Sequence, residues 1–282
     1  LTGRRVLRSP ALEKETVMRT KILVSMASVA VLGGAAMAQP VQVRVTVQNL
    51  APANSVSFAP LRVGFGNGTF DSFNNNQGAF LMGQPSLASA PIVTIAEGGS
   101  GSTWFPAFAS AEPQATLGTV VPSPAGPLLP GASASMVFSV DPSVNRFFTF
   151  GAMVVPSNDH FIGNDNPMQY MLFNNAGQLN ISSISQRGRD IWDAGSEVTN
   201  AANAAFLVGG NNDARIDEGG VVSFNFDRLD AFNGLQTPAG YTFNRQFTAD
   251  AEIYRISFEI VPTPASAAGL GLLGLAAARR RR

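Results

Sequence analysis

The sequence predicts an all-β fold, an antiparallel β-sandwich with a few short helices in its loops. Three observations carry that expectation. Gln39 to Leu50 alternates strictly, with Val41, Val43, Val45 and Val47 on one side, the period-two pattern of a half-buried strand. Further short apolar segments follow, separated by Gly, Pro and Asn turns, as in sandwiches and barrels. Among 282 residues there is no cysteine, so the fold holds by its core, or by core plus metal, without disulfides.

The elements follow in chain order. Ser57 to Phe65 is a second strand. Residues Gly66 to Gly83, rich in Gly, Asn and Phe, form a loop with a short helix near its end. Gln84 to Ala96 is helical or extended, and Pro85 and Pro91 argue against one long helix. The Pro/Gly-rich stretch Ala115 to Gly131 is expected to be a linker loop. Ala132 to Val140 is a strand with Met136, Phe138 and Val140 alternating. Arg146 to Val155, dense in aromatics, is a central strand. Met168 to Phe173, Gln178 to Ile184 and Val221 to Phe226 are further strands. Tyr254 to Val261 closes the body, with Tyr254, Ile256, Phe258 and Ile260 on one face. There is no internal repeat and no second domain boundary, so residues 39–261 form one domain.

Both ends read as addresses. Met18-Arg19-Thr20-Lys21 is a basic start, Ile22 to Ala35 is apolar, and Ala36-Met37-Ala38 is an A-x-A cleavage site. Residues 18–38 are therefore expected to be a signal peptide, with the mature chain starting at Gln39. Residues 1–17 lie upstream of a natural start at Met18 and are expected to be an over-extended reading frame. At the other end, Pro262-Thr263-Pro264 precedes the apolar run Ala265 to Ala278, and Arg279 to Arg282 follow. Those 14 residues would make a helix of ~21 Å, short against a bilayer core of roughly 30 Å. The terminal arginines would stay cytoplasmic, leaving the body outside. This order of proline motif, short apolar helix and basic end in residues 262–282 resembles the PEP-CTERM sorting signal, with Thr263 where that signal usually has Glu. The resemblance implies sorting by an exosortase-type protease, with transient anchoring in the inner membrane.

Composition excludes several functions. Of the nineteen basic residues, six precede Gln39 and four form the terminal cluster, leaving nine in the body, all arginine. Two of the nineteen acids, Glu13 and Glu15, also precede Gln39, so the body carries a charge near −8. Nucleic-acid binding by a basic surface is excluded. With one histidine, His160, no cysteine and no body lysine, a Cys nucleophile, a multi-His zinc site and a Lys Schiff base are excluded as well.

Two segments concentrate hard oxygen ligands. Val155 to Asn164 runs from an apolar strand into a turn ending at Asp159 and His160. Trp192-Asp193-Ala194-Gly195-Ser196-Glu197 carries two carboxylates four apart, with a glycine that lets them curl towards one point. Ca²⁺ needs several such oxygens, and no soft ligand is present. Spacing alone favours an Asx-turn at Asp159 and an N-cap or turn at Asp193, and leaves the ligand role open. His160 beside Asp159 is half of an acid–base pair or, more commonly for a lone loop histidine, a surface residue. Asp213, Asp217 and Glu218 with Gly219-Gly220 form a second cation site or a solvated hairpin loop. Phe147, Phe148 and Phe150 are a sugar-stacking face or core.

Taken together and in order, these segments resemble the spondin N-terminal domain. The resemblance starts at Phe58-Ala59-Pro60-Leu61-Arg62-Val63-Gly64-Phe65 and runs to Asp71. It continues through Ile95-Ala96-Glu97-Gly98-Gly99 and Pro130-Gly131-Ala132-Ser133-Ala134. Its most specific parts are Met153 to Asp159 and Ile191 to Glu197, and Tyr254-Arg255-Ile256 closes it. The resemblance implies a sandwich of jelly-roll or C2-like character. It implies a divalent-cation site at Asp159, Asp193 and Glu197, with Ca²⁺ expected and Mg²⁺ allowed. Ser196 stands where the family usually has Thr, and Glu197 where it has the second Asp. Animal members have disulfides, and this chain has none. The function it implies is non-enzymatic adhesion at the cell surface or in a matrix, with exopolysaccharide or matrix components as partners. Two other classes stay open: a glycoside hydrolase using the acidic cluster, and a structural surface component without a specific ligand.

Overall fold

In the computed structural model, residues 39–79, 90–211 and 215–262 are described. The expected signal peptide, the segment upstream of it, the apolar C-terminal run and Asp213 lie outside the described residues. No helix among the described residues is long and apolar enough to cross a membrane.

Two antiparallel sheets make the body. The elements are β1 (Val41–Asn49), β2 (Ser57–Phe58), β3 (Leu61–Gly66), α1 (Pro91–Gly98), α2 (Trp104–Ala111), β4 (Thr116–Val120), β5 (Ser133–Val140), β6 (Phe147–Val155), β7 (His160–Gly163), β8 (Ser183–Arg187), β9 (Trp192–Asp193), β10 (Ser223–Phe224) and β11 (Glu252–Val261). One sheet has the order β5-β1-β11-β8. The other has the order β10-β9-β7-β6-β3-β4, with β2 also on β6. The all-β sandwich expected from the alternation is what the chain adopts.

The main core lies between the sheets. Val43, Val45 and Val47 of β1 are buried, while Arg44, Thr46 and Gln48 are half-buried, so one face of the strand is apolar and the other polar. Opposite them stand Val63 and Phe65 of β3 and Phe148, Phe150, Ala152 and Val154 of β6. Phe148 meets Phe258 of β11 edge-on, with ring centroids 4.8 Å apart. Each fully buried phenylalanine contributes roughly 1.5–3 kcal/mol of transfer free energy. Phe147, Phe148 and Phe150 are all buried, which makes them core rather than a sugar-stacking face.

Strand β6 is buried along its whole length because a second layer covers its other face. Helices α1 and α2 pack there over a separate cluster that includes Phe70, Phe73, Ile95, Trp104, Phe108, Phe161 and Trp192. Glycines make the close approach possible. A Cβ on Gly151 would lie 2.9 Å from Ile95 Cδ1 of α1, and one on Gly64 would lie 2.2 Å from the Phe108 ring of α2.

Some expectations change in detail. The stretch Ala115 to Gly131 is not all linker: β4 lies within it and pairs with β3 from Leu61↔Val120 to Phe65↔Thr116. Of the stretch Gln84 to Ala96, residues 84–89 lie outside the described residues, and the remainder opens helix α1 with Pro91 at its first turn. Met168 to Phe173 makes only isolated bridges, at Met171 and Phe173. The strand expected at Gln178 to Ile184 starts later, as β8. Helix α2 and strands β7 and β9 were not anticipated.

Candidate functional site

The strand register builds the site. The β6–β7 hairpin turns at residues 156–159 and delivers Asp159 and His160 at the start of β7. β7 pairs with β9 so that His160 lies directly opposite Asp193, and Phe161 opposite Trp192. Phe224 of β10 continues that row, stacked on Trp192 at 3.6 Å. The apolar row anchors the register, and the polar row beside it brings the titratable groups together. One ligand atom from each of Asp159, His160 and Asp193 lies within 4.8 Å of the others. His160 is fully buried, as is Asp159, and Asp193 is nearly so. The expectation of a surface histidine is thereby corrected: its ring is enclosed by polar neighbours, the Asn225 carbonyl and the Asp159 and Asp193 carboxyl groups.

The hydrogen bonds define what is free. His160 Nε2 lies 3.0 Å from the carbonyl oxygen of Asn225. A carbonyl only accepts, so Nε2 carries the proton and Nδ1 keeps its lone pair. That Nδ1 has no partner, and neither does Asp159 Oδ1; the two are 3.8 Å apart. The other Asp159 oxygen, Oδ2, accepts from the Ser196 N–H at 2.8 Å, the Glu197 N–H at 3.0 Å and the Ser196 hydroxyl at 3.2 Å. These bonds span 37 and 38 residues, so Asp159 clamps a distant loop rather than forming a local Asx-turn. Asp193 does form its turn: Oδ1 accepts from the Gly195 N–H at 2.8 Å. Gly195 has φ 61, and a Cβ there would meet the Val221 backbone at 2.6 Å, so the position requires glycine.

The charges are unevenly paired. Arg228 Nη1 is 3.2 Å from Asp193 Oδ2 and also grips Glu218 through two bonds of 2.8 Å. No ion pair among the described residues joins Asp159 to an arginine, and Arg228 acts on it only at longer range. Burial, then the neighbouring Asp193, pushes the Asp159 carboxyl up to about 8. Burial also lowers the His160 pKa, against the opposing pull of Asp193. A buried charge without a partner is costly, so the fold holds Asp159 towards its neutral form.

Of the three carboxylates the sequence singles out, the fold brings Asp159 and Asp193 together with His160. Glu197 lies outside that group. Its backbone N–H donates to Asp159, while its Oε1 accepts from Asn158 Nδ2 at 3.1 Å and from Asn203 Nδ2. Burial raises the Glu197 carboxyl to about 7. In the hairpin loop, Asp217 pairs with Arg215 and Glu218 with Arg228. Each has an arginine for its charge, as in a solvated hairpin. Asn225, Arg228 and Glu97 escaped the sequence reading. The Asn225 contribution is a backbone carbonyl, which leaves no side-chain signal, and Arg228 and Glu97 join the site from 35 and 96 residues away from Asp193. Two carboxylates and an imidazole could hold a cation or orient a proton, with the bidentate Arg228 fixing Asp193 and Glu218 beside them. No family model and no curated protein matches the sequence.

Proposed function

We propose that this chain is an exported, non-enzymatic adhesion module whose Asp159–His160–Asp193 group holds a divalent cation. One observation carries the cation: Asp159 Oδ1 and His160 Nδ1 are both buried, both without a partner and 3.8 Å apart. Buried polar atoms are nearly always satisfied, and a cation satisfies both, taking the place of the proton that Asp159 otherwise holds. The Asn225 carbonyl on Nε2 supports it, since it holds the ring in the tautomer a metal needs. The imidazole modifies the Ca²⁺ expected from carboxylates alone: a nitrogen ligand favours Mn²⁺ or Zn²⁺ over Ca²⁺.

The cation would join the turn at residues 156–159 to the loop that follows β9. That bond would stiffen one rim of the sandwich, where a partner docks. Full burial of His160 favours holding over turnover, because a general base must reach its substrate. The adhesive role and the extracellular location rest on the likeness to spondin modules and on the two terminal addresses. The charge near −8 supports partners other than nucleic acid, with exopolysaccharide or matrix components as the class.

The test is calorimetric titration of the full chain, first stripped with chelator, with Mn²⁺, Zn²⁺ and Ca²⁺, alongside thermal melts. Saturable binding that raises the melting temperature and is lost in Asp193→Asn supports the site. Absence of binding by all three ions at millimolar concentration removes it and leaves a plain structural module.

A further inference from the structure

A second site lies beyond the cation group, on the side of the Ser196 hydroxyl that faces α1. A cavity of about 290 Å³ opens between the end of α1 and the loop after β9, lined by Glu97, Ser100, Ser102, Glu197, Asn203 and Arg215 among others. Its walls divide into groups already satisfied and groups left open. Glu97 is satisfied: Arg215 grips both its oxygens at 2.5 and 2.7 Å, and the Ser196 hydroxyl donates at 2.8 Å. Arg215 is satisfied in turn by Glu97, Asp217 and the Ser196 carbonyl.

Two oxygens are not. Asn203 is 2% exposed, and its Oδ1 has no partner. The amide nitrogen of the same side chain is committed to Glu197 Oε1, which fixes the orientation and leaves Oδ1 as the open atom. Glu197 is 4% exposed. Its Oε1 takes two amide donors, and no hydrogen bond among the described residues reaches its Oε2. The cavity thus offers one open carboxylate oxygen, Glu197 Oε2, beside the hydroxyls of Ser100 and Ser102, while the unpartnered Asn203 Oδ1 lies behind its wall. Around it stand three carboxylates, Glu97, Glu197 and Asp217, against one guanidinium, Arg215. The chemistry that answers such a wall is a compact positive group with several N–H donors.

We propose that this cavity binds the primary ammonium group of an amino sugar. An ammonium has three donors and no acceptor, so one group can donate to Glu197 Oε2 and keep its other N–H groups for the hydroxyl oxygens of Ser100 and Ser102. Ser100 and Ser102 supply hydroxyls at the rim for a hydroxylated body. The cavity has room for one pyranose ring. A neighbouring cavity of about 300 Å³ shares Glu97 and Gly98 and is lined by Pro60, Pro127, Met153 and Phe206. It is more apolar, and Phe206 stands in it with φ 64, a backbone conformation bulky residues rarely adopt. The pair forms a charged subsite followed by a more apolar one.

The experiment is calorimetric titration of the full chain in chelator with glucosamine, and with glucose and N-acetylglucosamine as neutral counterparts. The chelator keeps this test separate from the cation site. Saturable glucosamine binding, at least tenfold tighter than either neutral sugar, is expected. Glu197→Gln should weaken it tenfold or more. Ser102→Phe, an exposed rim position, should block it without touching the buried network and so guards against a folding defect in the first variant. Equal binding of glucose or N-acetylglucosamine overturns the ammonium assignment. No saturable glucosamine binding at ~50 mM, or unchanged binding in Ser102→Phe, overturns the site.

Discussion

His160 Nε2 points at the carbonyl oxygen of Asn225 from 3.0 Å, and this one contact determines which nitrogen of the buried ring is free. Because Nε2 donates, Nδ1 is the basic atom, and it faces the unpartnered oxygen of Asp159. If that nitrogen ligates, His160→Ala lowers Mn²⁺ and Zn²⁺ affinity by tenfold or more, with a smaller loss for Ca²⁺. Parallel calorimetric titrations of the wild type and the variant check it. An equal loss for all three ions would place the imidazole outside the coordination sphere.

Asp193→Asn removes charge while keeping shape. The Asx-turn to Gly195 survives in the amide, so the β9 loop keeps its local bond. Cation affinity should fall at least tenfold while the core melts cooperatively as before. Amide hydrogen exchange should quicken in residues 156–159 and 194–197 and stay unchanged in β1 and β11.

Arg228→Met leaves Asp193 nearly buried and without its guanidinium. The metal-free protein should lose about 1–3 kcal/mol, less than a fully buried pair would cost because Arg228 is over a third exposed. Cation affinity should rise, since the competing positive charge is gone. Urea denaturation with and without Mn²⁺ separates the two effects.

The metal-free protein should also lose stability as pH rises. Asp159, raised to about 8, and Glu197, raised to about 7, both bind protons in the fold that the unfolded chain releases near pH 4. Each therefore costs stability as pH climbs from about 4 towards its folded value. His160, with its pKa lowered by burial, acts the other way below about pH 6.5 but is one group against two. The melting temperature in chelator should fall between about pH 5 and 8, most steeply above 6.5, where the histidine no longer opposes. Saturating cation should flatten the fall. A melting temperature that rises with pH in chelator would mean the carboxylates are ionised in the fold.

Gly64→Ala tests the layer between helix and sheet. The added Cβ would lie 2.2 Å from the Phe108 ring, and overpacking of this kind costs about 1–3 kcal/mol. Thermal melting should drop without loss of cation binding, because α2 does not contribute to the Asp159 group.

Legibility in the sequence followed the length of each element. β1, β5 and β11 each run eight residues or more, enough for a period of two to stand out, while β6, buried on both faces, shows instead as a run dense in aromatics. β9 has two residues and β7 four, and no periodicity can show in so few. β4 hides among prolines and glycines because it is an edge strand, mostly half-buried, with weak demand for apolar side chains. Asp159 and Asp193 were legible as carboxylates at turns. The burial of His160 was not, because it depends on the pairing of β7 with β9 and on β10, sixty residues further along.

The pairing of β1 with β11 carries a mechanical meaning. Gln42 stands opposite Val261 and Asn49 opposite Tyr254, so the chain enters and leaves the sandwich side by side, at the same end of neighbouring strands. Tension applied between those two points would unzip the ladder one hydrogen bond at a time rather than shear it all at once, and the sheet would open at low force. Tension applied from the C-terminal strand to a ligand at the Glu97 cavity takes another route, through both sheets and the aromatic core between them. A body joined to a surface by one end and to its partner by its rim would bear load along its stronger direction.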